Sequence, residues 1–289
     1  MRQFLNTIRI TLDMVKIEHT LFALPFAFMG AFLAAEGFPS SRQVFWILVA
    51  MFGARSAALA FNRLSDLKID SLNPRTSQRA LPRGLVSRRF VIVFIAATSG
   101  LFILACWQLN PLAFRLSLPA LAIIFFYSLT KRFTWTAHLF LGLALACAPM
   151  GGWIAVRGNL DPKPLLLGLA VALWIAGGDV IYACMDVDFD SRMGLHSVPQ
   201  RWGIPKALKI AVGMHVITAI ILMLCTYAFR LGWIAWIGIA VVVLLLVYEH
   251  RLVKPTDLSR ANTAFFTVNA IISFTLFATT AADLLMRSS

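Results

Sequence analysis

An all-helical chain that crosses a membrane many times is the fold class this sequence predicts, and three observations predict it. Of the 289 residues, 60% are hydrophobic and only 13% charged, against about 45–50% and about 25% in soluble globular domains. The apolar residues are gathered into runs close to the length an α-helix needs, at 1.5 Å per residue, to cross about 30 Å of hydrocarbon. Removing those runs leaves no segment able to form a soluble domain, so residues 1–289 read as a single membrane domain.

Nine runs stand out, at 20–36, 44–61, 90–107, 111–130, 136–156, 165–185, 208–229, 232–248 and 265–285. The break between the seventh and eighth is short. Residues 1–19 are amphipathic and offer no small-residue cleavage site, so the first run reads as a span and not as a signal peptide. Cys106, Cys147, Cys184 and Cys225 all fall inside runs, with no C-x-x-C, and read as small core residues. The histidines show no pair at metal-ligand spacing.

The net charge of +13 would suit a nucleic-acid partner in a soluble protein, but here it reads as orientation. Most Lys and Arg lie in 1–19, 62–89, 131–135, 186–207 and 249–264, that is, before the first run and after the even-numbered ones. The opposite ends carry only Arg42, Arg157, Lys163, Arg230 and Arg287. Basic loops stay cytoplasmic, so the N-terminus and those loops are expected inside and the C-terminus on the opposite side.

Acids are scarce, and six of the 13 Asp and Glu fall in two places: Asp66 and Asp70, then Asp179, Asp186, Asp188 and Asp190. Both groups follow an even-numbered run and share a side. "DLKIDS" (66–71) and "DVDFDS" (186–191) share D-x-x-x-D-S, a weak internal repeat. At 3.6 residues per turn, Asn62, Asp66 and Asp70 line one stripe if the second helix continues past the membrane edge, with Arg55 deeper on the same stripe. Tyr182, Asp186 and Asp190 repeat the pattern, with Asp179 below. Like charges four residues apart repel, and two such pairs facing each other call for a cation between them. Carboxylates with a substrate phosphate are the ligand set of Mg²⁺.

The cations around these acids fit a phosphorylated substrate. Arg75, Arg79 and Arg83 occupy the loop "SLNPRTSQRALPRG" (71–84), and "YSLTKR" (127–132) sets Tyr127 and Lys131 four apart at the end of the fourth run. Guanidinium forks and ammonium groups both bind phosphate oxygens. Asn73 before Pro74 ends the helix, and Pro82 and Gly84 close the loop, which reads as a lid over the acidic cleft. Arg55 lies within an apolar run, where a charge faces the interior and has a partner or ligand. Asp179 is the acid deep enough to pair with it.

At these residues the chain resembles the UbiA superfamily of intramembrane prenyltransferases. Asn62, Asp66 and Asp70 match that family's N-x-x-x-D-x-x-x-D motif; Tyr182, Asp186 and Asp190 match its second acidic motif; Tyr127 and Lys131 match its Tyr and Lys after the fourth helix. "NPRTSQRALPRG" is similar to the basic loop of quinone-pathway members. "KIEHTLFALPFAFMGA" (16–31) and "ARSAALAFNR" (54–63) look more like a branch tied to futalosine-route menaquinone synthesis than like the 4-hydroxybenzoate enzymes of ubiquinone synthesis.

The resemblance implies nine helices around a central cavity in a bacterial plasma (inner) membrane. It implies transfer of a polyprenyl group from polyprenyl diphosphate to an aromatic acceptor, 4-hydroxybenzoate-like or a futalosine-route precursor. Asp66, Asp70, Asp186 and Asp190 would hold Mg²⁺ and do the catalytic work of activating the diphosphate. Arg55, Asn62, Arg75, Arg79, Tyr127, Lys131, Asp179 and Tyr182 would bind substrate, with Asp179 or Asp190 placing the acceptor or taking its proton. Partners would be the two substrates and the bilayer, with no nucleic acid. A secondary transporter also carries acids near broken helices, but near the midplane, whereas most of these lie at one edge. A CDP-alcohol phosphotransferase needs D-G-x-x-A-R; aligned on Ala54 and Arg55, Ala50 and Met51 stand at the D-G, so that pattern fails.

Overall fold

The computed structural model describes residues 10, 11, 14 and 17–288; most of the amphipathic 1–19 segment lies outside them. The helices are α1 (Ile17–Ala35), α2 (Ser41–Ser65), α3 (Leu67–Leu72), α4 (Arg88–Leu109), α5 (Pro111–Thr130), α6 (Ala137–Arg157), α7 (Pro162–Ala183), α8 (Val187–Met193), α9 (Val198–Trp202), α10 (Ile204–Ala228), α11 (Trp233–Leu252) and α12 (Asn269–Ser288). No strand occurs among the described residues; Lys254 and Asp257 form an isolated bridge. The chain is an all-α integral membrane protein.

Among the described residues, 8 helical segments are long and apolar enough to cross a membrane. The first expected run falls in α1, whose 19 residues run from Ile17 to Ala35. The chain turns out of α1 at Glu36, with φ 54°. Every other run is found, and the short break at 229–232 is real: α10 ends at Ala228 and α11 begins at Trp233.

Polar caps mark where the spans begin. Ser40 and Gln43 form a reciprocal capping box on α2. Ser87 accepts from the Phe90 N–H at α4. Asn110 accepts from the Ala113 N–H at α5, with Pro111 as its first residue, where the missing N–H costs nothing. Lipid is as apolar as a leucine side chain, so the spans associate by close backbone approach and not by the hydrophobic effect. The α1–α6 crossing shows this twice. A Cβ on Gly30 would stand 2.0 Å from the Pro149 carbonyl oxygen, and one on Gly152 would stand 2.0 Å from that of Ala27.

Helix α7 runs through the centre, packed on α6 and α10, with Val171, Trp174, Ile175, Val180 and Ile181 fully buried. A buried polar chain ties it to α11 and α12. The Trp174 Nε1–H donates to Asn269 Oδ1 at 2.5 Å, and Asn269 Nδ2 donates to Glu249 Oε1 at 3.2 Å. A π-helical turn, Thr263–Val268, precedes Asn269, and Asn269 Nδ2 also reaches the Phe265 carbonyl at 3.1 Å. This turn sets the Phe265 and Phe266 rings 4.9 and 5.4 Å from the ring of Tyr182. Wide turns of this kind recur at functional sites.

Candidate active site

Both acidic motifs sit at breaks in their helices, not on uninterrupted ones. Helix α2 stops at Ser65, and Asp66 has φ −91°, ψ 6° before α3 resumes. Helix α7 stops at Ala183, a 3₁₀ turn covers Cys184–Asp186, and Asp186 has φ −107°, ψ 7° before α8. These are bridge-region values, a conformation common in active sites. The stripe geometry survives the first break: the Asp66 N–H still bonds Asn62 O at 2.9 Å, and the Asp70 N–H bonds Asp66 O at 2.7 Å. The D-x-x-x-D-S repeat is therefore a repeat of backbone shape.

One cavity of about 1270 Å³ gathers the sequence-derived candidates. Arg55, Asn62, Asp66, Asp70, Arg75, Arg79, Arg83, Tyr127, Lys131, Asp179, Tyr182, Asp186 and Asp190 all line it. Asp66 is buried and accepts from Lys131 Nζ at 2.5 Å, Arg132 Nη2 at 3.0 Å and Asn62 Nδ2 at 3.3 Å. Asp70, also buried, receives Arg79 Nη1 at 2.8 Å on both oxygens. Arg75 crosses from the loop after the first motif to the second. Its Nε donates to Asp186 Oδ1 at 3.1 Å, its Nη2 pairs with Asp186 Oδ2, and its Nη1 donates to the Tyr182 hydroxyl at 2.6 Å. Partial burial is the largest single influence and works against the charge on Arg75, but the hydrogen bonds and charges of Asp186 and Tyr182 together outweigh it and hold the pKa above the ordinary guanidinium value.

Three placements could not be read from spacing. Asp179 does not meet Arg55: its Oδ2 lies 2.6 Å from Nδ1 of His138, and His138 also lines the cavity. The histidine is 41 residues away in sequence, and nothing in its neighbourhood marks it. Arg132, the last residue of "YSLTKR", pairs with Asp66 at 3.0 Å. Arg55 is in no ion pair among the described residues, and its Nε is buried without a hydrogen-bond partner. Arg55 and Tyr127 stand where the main cavity adjoins a second, apolar one of about 250 Å³, lined in part by Ala54, Ile124 and Ala148.

Among the described residues, no three His, Cys, Asp or Glu side chains converge on one point as metal ligands, and side-chain cations partner Asp66, Asp70 and Asp186. The donor set still suits a hard divalent cation. Four carboxylates from two motifs open on one cavity, and Asp190 is in no ion pair among the described residues. Fold and site together define a helical membrane protein with an acid- and arginine-lined chamber at one end.

The chain belongs to the UbiA prenyltransferase family, whose model matches residues 23–271. It is 31% identical to the 4-hydroxybenzoate octaprenyltransferase of Vibrio campbellii over 83% of this chain and 84% of that protein. It is 28% identical to the enzyme of the same name from Neisseria meningitidis over 90% of each. The apo structure of a UbiA homolog from Aeropyrum pernix K1 superposes with a TM-score of 0.85 at 35% identity, covering 93% of this chain and 99% of that one. A UbiA homolog from Archaeoglobus fulgidus, solved bound to DMAPP and Mg²⁺, shares the fold with a TM-score of 0.74 at 21% identity, covering 95% and 98%.

Proposed function

We propose that this protein transfers a polyprenyl group from its diphosphate to a ring carbon of an aromatic acceptor, with Mg²⁺ as the metal. The observation that carries the reading is the juxtaposition of two acidic motifs and an array of cations on one cavity. Relatives named 4-hydroxybenzoate octaprenyltransferase support it.

The residues then divide the work. Asp66, Asp70, Asp186 and Asp190 would hold the metal, which supplies charge neutralisation of the diphosphate leaving group. Lys131, Arg75 and Arg79 bind diphosphate oxygens as the allylic C–O bond breaks. Asn62 orients Asp66 through its 3.3 Å hydrogen bond. Tyr182, backed by Phe265 and Phe266, presents an aromatic wall that keeps water from the reacting carbon. Arg55, a buried cation at the deep end, holds the anionic or polar end of the acceptor, with Tyr127 beside it. Asp179 takes the ring proton. The basic loop after the first motif closes the chamber as a lid, and the chamber faces the cytoplasm of a bacterial inner membrane.

The acceptor is either 4-hydroxybenzoate-like or the aromatic precursor of futalosine-route menaquinone. The apolar space beyond Arg55 favours keeping the second, because it leaves room for a larger ring system. Membranes carrying the protein, given one polyprenyl diphosphate, Mg²⁺ and competing aromatic acceptors, should yield a prenylated aromatic by mass spectrometry, and the dominant product names the branch. Diphosphate consumed with no prenylated aromatic formed would refute the reading.

A further inference from the structure

His138 belongs to neither acidic motif, yet it makes two bonds that fix the state of the chamber's deepest acid. It is buried in the first turn of α6. Its Nε2 lies 3.1 Å from the backbone nitrogen of Val198, the first residue of α9. A backbone N–H only donates, so Nε2 must accept, and the ring proton of the neutral imidazole is on Nδ1. That nitrogen is the one 2.6 Å from Asp179 Oδ2. The ring cannot take a second proton without turning an Nε2–H against the Val198 N–H. His138 is therefore held as a donor to Asp179 and excluded as a base itself.

The segment that supplies this lock is itself docked. The His196 N–H bonds the Lys131 carbonyl at 2.7 Å, and Ser197 caps α9 by accepting from the Gln200 N–H. The backbone that selects the tautomer of His138 is thus tied to the residue that grips Asp66. Asp179 has a 23% exposed side chain, and no other ion pair engages it among the described residues.

We propose that His138 is the positioning residue for Asp179, holding Oδ2 through Nδ1–H so that Oδ1 faces the chamber and receives the proton of the prenylated ring. This rests on the reading of the chain as an aromatic prenyltransferase. In the step, the allylic C–O bond breaks with its electron pair left on the diphosphate. A π pair of the ring forms the new C–C bond. The C–H pair then restores aromaticity, and the proton passes to Asp179 Oδ1.

Two substitutions divide the two bonds. In His138→Asn the amide nitrogen stands near the position of Nδ1 and keeps the donor to Asp179, while the acceptor for Val198 is lost. In His138→Gln the amide reaches the position of Nε2 and keeps that acceptor, while the donor is lost. Turnover of purified full-length protein should fall about ten- to a hundredfold in His138→Gln, part of the range general bases supply. His138→Asn should stay within about fivefold on the same scale. The KM of the diphosphate should move in neither. The reverse order, with Asn inactive and Gln active, overturns the proposal in favour of a role in docking α9 alone.

A second measurement needs no turnover. The ¹⁵N resonances of His138, assigned by their loss in His138→Asn, should report a protonated Nδ1 and a bare Nε2. The opposite tautomer, or a doubly protonated ring, overturns the proposal. Absence of any prenylated product from the wild type counts against prenyl transfer, and the tautomer then decides the pairing by itself.

Discussion

The two acidic motifs share a backbone break and differ in almost everything around it. Asp66 and Asp186 both sit where a helix stops with ψ near zero, but the side chain of Asp66 is 3% exposed and that of Asp186 is 18% exposed. The first motif is closed from nearby: Arg79 reaches back nine residues to Asp70, while Lys131 and Arg132 arrive from the end of α5. The second motif is open. Its one cation, Arg75, is borrowed from the loop of the first, and Asp190 is lined up on the cavity in no ion pair among the described residues. Equal sequence spacing thus produces one wall paired with Arg79, Lys131 and Arg132 and one paired, among the described residues, through Arg75.

The sharpest challenge to that comparison is to neutralise one acid on each wall. Asp66→Asn and Asp186→Asn should each lower turnover by at least about a hundredfold, since both would hold the same metal. Both variants should still insert and run as a single species on size exclusion. The cations left behind are about a third exposed and reach water along their stems. Full turnover in either variant would show that its wall is only structural.

Removing the metal should silence both walls at once. Excess chelator should abolish prenyl transfer, and Mg²⁺ should restore it to most of its starting rate; activity that persists in chelator would leave the acids as counter-ions to arginine only. A smaller effect is expected deeper in the chamber. Arg55→Ala should raise the acceptor's KM at least about tenfold and leave that of the diphosphate nearly unchanged. Adding Asp179→Ala should recover nothing, because Asp179 pairs with His138. Recovery in the double variant would restore an Arg55–Asp179 pair.

The smallest effect separates the two loop arginines. Arg75 grips Asp186 and Tyr182 with three nitrogens, whereas Arg79 grips Asp70 with one. A lysine replaces a point contact better than a fork. Arg75→Lys should therefore raise the diphosphate KM about three- to tenfold, and Arg79→Lys less. Equal effects would mean that the bridge between the walls is not what orders the loop.

Much of this site was legible before any coordinates. The runs marked the spans because a membrane helix needs unbroken apolar length, and the stripe Asn62–Asp66–Asp70 was readable because spacing along one helix fixes direction. The fourth run, 111–130, coincides with α5, Pro111–Thr130. What escaped was non-local. His138 finds Asp179 across 41 residues, and Arg75 finds Asp186 across 111. Such pairs depend on which helices become neighbours, which no local period encodes. The break at Asp66 escaped for another reason: a single residue in the bridge region preserves the four-residue bonding that signalled an unbroken helix.

The bridge made by Arg75 has a thermodynamic consequence for the proposed reaction. Asp66, Asp70 and Asp186 carry counter-ions belonging to the chain itself, so a metal entering the proposed site would take part in an exchange, displacing cationic side chains that must find new anions. A diphosphate supplies them. Each ligand thereby removes the obstacle to the other, and by reciprocity the factor by which diphosphate tightens the metal is the factor by which the metal tightens diphosphate. If these residues hold the metal as proposed, the ion pairs would act as a coincidence requirement, favouring the divalent ion and the diphosphate together over either alone.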